Sequence, residues 1–98
     1  MAEFANKERG VRFTLPEKIT VRNQLLFYSL IGESEGPDKY EGYWAAAKML
    51  IEDWECKRLP ETNVDLGKIE DPKITSIILW VGTQVLSYMA NLGDVSKN

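Results

Sequence analysis

Histidine is missing from this 98-residue chain, and cysteine occurs once, at Cys56. Without histidine the commonest general base and the commonest metal ligand are both gone. A single thiol excludes an internal disulfide, and a structural zinc site would need further Cys or some His. Serines are present but have no imidazole to activate them, so a nucleophilic triad is not available. The chain also lacks a GxGxxG or Walker A loop, an Asn-x-Ser/Thr sequon and a lipidation motif. Its opening, "MAEFANKERG", has no apolar leader. A reducing, cytoplasmic setting without cofactor or metal is therefore the expectation. A last shortage is local. From Ile74 to Gly93 no residue is charged, in a chain where charges make up 28% of residues.

What is present is ordinary for a globular protein: 44% hydrophobic residues, with three Trp, four Tyr and three Phe. That composition fits one domain over 1–98, with 1–10 flexible and 93–98 a polar tail. The net charge of −3 is unevenly spread. Residues 1–22 carry five basic and three acidic groups, whereas residues 33–71 carry eleven acidic and five basic. An acidic middle repels nucleic acid and anionic lipid, so neither is an expected partner.

Patterning predicts a mainly α fold: a bundle of three helices, over about 20–31, 39–58 and 72–92, with one short strand at about 11–15. "VRFTL" alternates apolar and polar residues and stops at Pro16, as a strand does. Thr20 offers an N-cap for the first helix, on which Val21, Leu25 and Tyr28 form a stripe widened by Leu26, Phe27, Leu30 and Ile31. Gly32 is its natural stop. In the second helix Asp38 and Glu41 have capping-box spacing. Tyr40, Tyr43, Trp44, Ala47, Leu50, Ile51 and Trp54 then repeat on one face, which marks a core face ended before Pro60. Asp71-Pro72 opens the third helix, because a proline at the first helical position gives up no hydrogen bond.

On that third helix Ser76, Thr83, Gln84, Ser87 and Asn91 gather on one side, opposite Ile74, Ile77, Ile78, Val81, Val85, Tyr88, Met89 and Leu92. Leu79, Gly82, Leu86 and Ala90 extend the apolar surface past the usual stripe of roughly 100°. Trp80 falls among the polar positions. Six Ser, Thr, Gln and Asn side chains in the run argue against a membrane span. Two readings stay open: a core helix in a small bundle, or a helix that serves the core with one side and another protein with the other. Under the second, Leu79, Trp80, Leu86 and Phe27 are the candidate partner-binding residues, and self-association through such a face is equally allowed.

Other patterns fall short of a site. "ETNVDLGKIEDP" approaches an EF-hand loop through Glu61, Asn63 and Asp65, but its glycine is one place late and Pro72 replaces the bidentate acid. Paired acids such as Glu52/Asp53 and Glu70/Asp71 have the positions of solvated or capping groups. Cys56, set beside Glu52, Asp53 and Glu55, has a passive role as the expectation.

In chain order, "FTLPEKITVRNQLLFYS", "YWAAAKMLIEDWECKRLP", "DPKITSIILWVGTQVLSYM" and "DVSKN" resemble the strand and first helix, aromatic second helix, Asp-Pro-started last helix and polar end of the tail-assembly chaperones of long-tailed bacteriophages and prophages. The resemblance implies a non-enzymatic protein that binds the tape-measure protein, keeps it soluble and helps load tail-tube subunits. It also implies action in the host cytoplasm during assembly and absence from the mature virion. The competing reading is a structural virion component, such as a head–tail connector or tail-terminator subunit.

Overall fold

The computed structural model describes residues 2–32 and 36–94. Its elements run β1 (Ala2–Asn6), β2 (Val11–Leu15), α1 (Val21–Gly32), α2 (Lys39–Leu50), β3 (Asp53–Cys56) and α3 (Pro72–Asp94), with 3-10 turns at Gly36–Asp38 and Leu66–Lys68. The three strands form one antiparallel sheet in the order β1-β2-β3. The fold is therefore mixed α and β. The expected all-α bundle with a single strand is wrong in two places, and each has a local cause.

The first correction is at the start of the chain. The expected frayed tail is an edge strand, in which Ala2, Phe4 and Asn6 turn inward and Glu3 and Ala5 face water. Its hairpin closes through Lys7–Gly10: Arg9 N–H donates to Asn6 Oδ1 at 3.0 Å, and Gly10 takes a positive φ of 66°. That conformation costs a glycine little and other residues more.

The second correction concerns the expected helix over 39–58. It stops at Leu50, and Ile51 is already extended at φ −65° and ψ 128°. Residues 53–56 become β3, antiparallel to β2 with Val11 opposite Cys56 and Phe13 opposite Trp54. The sequence "DWEC" also alternates, acid out and apolar in, so Trp54 faces the core under either geometry. Pairing decides between them. β2 lies at the centre of the sheet and needs ladder partners on both edges. Thr14 sharpens the register: its carbonyl accepts from Glu52 N–H at 3.0 Å, and its hydroxyl accepts from Asp53 N–H at 3.1 Å. On the outer face Arg12 bridges Glu3 at 3.2 Å and Glu55 at 3.5 Å, one cation spanning all three strands.

The inner face of the sheet carries a row of aromatics, one per strand. Phe4 stacks on Phe13 at 5.0 Å, and Phe13 on Trp54 at 6.3 Å. The helices cover this row edge-on: Trp80 on Phe13, Tyr88 on Phe4 and Trp44 on Trp54, each at 5.8 Å. Such edge-to-face pairs add roughly 0.5–1.5 kcal/mol to the area they bury. Trp44 Nε1 is buried without a hydrogen-bond partner among the described residues, a cost that the ring's buried area must offset.

The helix starts follow the sequence in part. Thr20 Oγ1 accepts from Asn23 N–H at 3.2 Å, and Asp71 Oδ1 accepts from Lys73 N–H at 3.0 Å. Asp38 makes no side-chain cap, because it closes a 3-10 turn with helical backbone angles that aim it elsewhere. Gly32 ends α1 without a left-handed turn. Gly82 is buried where α3 meets α2, and a Cβ there would make an ordinary contact of 3.6 Å with Tyr43 Cβ. Of the expected polar end, residues 95–98 lie outside the described residues, and α3 itself extends to Asp94.

Candidate functional site

The uncharged run of the sequence is α3, and it buries Ile74, Ile77, Val81, Val85 and Met89 along one line. On the opposite side Leu79 is 41% exposed. Leu86 follows it seven residues later, nearly on the same line of the helix, and is half-buried. Trp80 is half-buried as well, since one edge of its indole is spent on Phe13. None of these three candidates is wholly enclosed. The fourth differs: Phe27 is 1% exposed and packs edge-on to Tyr28 at 5.3 Å, so it offers no ring to a partner.

Leu79 and Thr75 form a ridge between two grooves. One, of about 240 Å³, lies among α2, the Leu66–Lys68 turn and α3, with Tyr40, Leu66, Ile69 and Ile78 in its wall. The acids Glu41 and Asp71 also line it. The other, of about 470 Å³ and shallower, runs along the far side of α3 past Ser76, Trp80 and Thr83, with Arg9 from the β1–β2 turn. Arg9 Nε donates to Ser76 Oγ at 2.8 Å, which ties the guanidinium to the α3 wall.

Two titrating groups along α3 are displaced from their ordinary values, Asp71 at its start and Tyr88 near its end. Asp71 has its pKa lowered, first by the hydrogen bond from Arg58 at 2.8 Å and then by the Lys73 N–H. Tyr88 has its pKa raised, first by burial and then by the nearby charge of Glu17. Its hydroxyl donates to Pro16 O at 2.8 Å, which fastens α3 to the chain leaving β2.

A second surface escaped sequence reasoning. Val21 and Leu25, on the apolar stripe of α1, are 71% and 64% exposed, and Leu26 and Tyr28 are exposed too. The helix instead turns Phe27 inward, with Leu30 and Ile31 against the core edge. One signal was available. Phe27 and Ile31, four residues apart, define a second apolar line, and periodicity alone gave no ground for choosing between the two lines.

Among the described residues no group of three or more His, Cys, Asp or Glu is placed to hold a metal ion. The loop that approached an EF-hand is occupied by its own turn, in which Asp65 Oδ1 accepts from Gly67 N–H at 3.0 Å. Cys56 is buried on β3. No helix among the described residues is long and apolar enough to cross a membrane. Compared with known proteins, the chain matches no family model, no curated protein and no solved structure.

Proposed function

We propose that this protein is a non-enzymatic assembly chaperone of the long-tailed phage type. In this reading it binds the tape-measure protein in the host cytoplasm, helps load tail-tube subunits and leaves before the particle is complete. The resemblance of "FTLPEKITVRNQLLFYS" and "DPKITSIILWVGTQVLSYM" to that family supplies the partner's identity. The observation that carries the reading is apolar helix surface standing in water: Val21, Leu25, Leu26 and Tyr28 on α1, and Leu79 on α3. Apolar patches of this kind on a small domain mark association sites. A tape-measure protein presents long apolar helical stripes until the tube surrounds them, and such stripes dock on helix surfaces in helix-in-groove fashion.

The test is co-expression with the tape-measure protein encoded in the same genome. The two should co-purify, and the tape-measure protein should precipitate when this chain is omitted. Mass spectrometry of mature particles should find no copy of it. A tape-measure protein that stays soluble alone overturns the reading. Recovery of this chain from particles at a fixed ring stoichiometry would establish the structural-component alternative instead.

A further inference from the structure

The ridge at Leu79 has charges of opposite sign on its two sides. Among the described residues, the groove toward α2 is lined by Glu41 and Asp71 and by no basic residue, and the groove toward the β1–β2 turn by Arg9 and by no acidic residue. Thr75 and Leu79 border both grooves. Glu41 forms no ion pair among the described residues, whereas Asp71 shares its charge with Arg58. Arg9 is held against Ser76, so the cation is positioned on the wall of its groove.

We propose that this ridge seats one amphipathic helix of a partner protein, its apolar stripe on Leu79, with basic residues on the flank facing Glu41 and Asp71 and acidic residues on the flank facing Arg9. An α-helix is about 10–12 Å across with its side chains, so residues on both flanks of its contact stripe reach over such a ridge. The two flanks exchange sides when the helix is turned end for end. Opposite charges in the two grooves therefore select one direction of docking. Charges at a rim act more on specificity and encounter than on affinity, which suits a protein that must let go later. The inference rests on the chaperone reading only in taking the partner to be helical.

Three synthetic helical peptides with one shared leucine stripe test it on the full chain by fluorescence anisotropy at low salt. One carries Lys on one flank and Glu on the other, the second Lys on both, the third Glu on both. The mixed peptide should bind the tightest, by about three- to fivefold over each of the others, the scale of one or two exposed ion pairs. Arg9→Glu should transfer the preference to the all-Lys peptide and Glu41→Lys to the all-Glu peptide, while Arg9→Lys keeps the original order. Leu79→Ser should weaken all three. Melting curves establish that each variant is folded. An unchanged rank order across the charge variants, or binding indifferent to Leu79→Ser, overturns the proposal. Either failure leaves the co-purification test untouched, so the chaperone reading stands or falls separately.

Discussion

Helices α1 and α3 are both rich in apolar residues and nearly free of charge, yet the fold treats them in opposite ways. The 23 residues of α3 lie under the sheet and against α2, burying Ile74, Ile77, Val81, Val85 and Met89 in a row. The 12 residues of α1 pack mainly on α2, and of them only Phe27 is fully buried. Its cleanest stripe, Val21, Leu25 and Tyr28, faces water. The difference teaches that spacing fixes which side chains share a face, while a second layer has to exist for that face to be covered. α3 has two layers within reach. α1 has one, and the side it turns away is available to another polypeptide.

Three substitutions break or sharpen this contrast. Ile77→Ala removes a 1%-exposed side chain from the covered line of α3, where large-to-small changes cost roughly 2–5 kcal/mol. A denaturant melt should show that loss as a single cooperative shift of the sheet and α3 together. A loss below 1 kcal/mol would mean that the covered line of α3 is held no more tightly than the open face of α1, and the contrast would fail.

Tyr88→Phe deletes the hydroxyl that donates to Pro16 O and should cost about 1 kcal/mol near neutral pH. Its pH dependence has a definite sign. The folded-state pKa is raised above 10.0 by burial and by Glu17, so this contribution is complete below about pH 10 and fades as pH rises through the higher folded value. The Phe variant should lack that alkaline loss when melting temperature is followed from pH 9 upward.

The smallest effect belongs to α1. Leu25→Gln, on the open stripe, should change stability by no more than about 0.5 kcal/mol while weakening association with a partner that uses this face. A large destabilisation in the isolated chain would place Leu25 under cover and remove α1 from the surfaces that carry the chaperone proposal.

Much of the fold was legible residue by residue. "VRFTL" and Pro16 marked β2, Thr20 marked the start of α1, and Asp71-Pro72 marked the start of α3. The missed elements share one property: each owes its geometry to a distant strand. Ala2–Asn6 has no β-branched residue to announce a strand, and its one large apolar residue, Phe4, gains meaning only beside Phe13. Asp53–Cys56 fits a helix continued from Leu50 equally well until β2 supplies the ladder. At the candidate site the excess apolar width of α3 was legible and included the exposed Leu79. The inward choice of Phe27 over Leu25 was not, nor was the arrival of Arg9 beside Ser76 from 67 residues away.

Sequence alone thus determined what depends on neighbours along the chain. The Thr20 and Asp71 caps, the boundaries at Pro16 and Pro72, the lack of histidine chemistry and the sharing of helical faces are all set by backbone sterics and side-chain type within a few residues. Tertiary structure decided the rest: which strand pairs with β2, which face of α1 stays wet and which charges border Leu79. Those outcomes turn on burial and hydrogen bonding between segments far apart in the chain, where a residue's energy depends on a surface that its own neighbours do not specify.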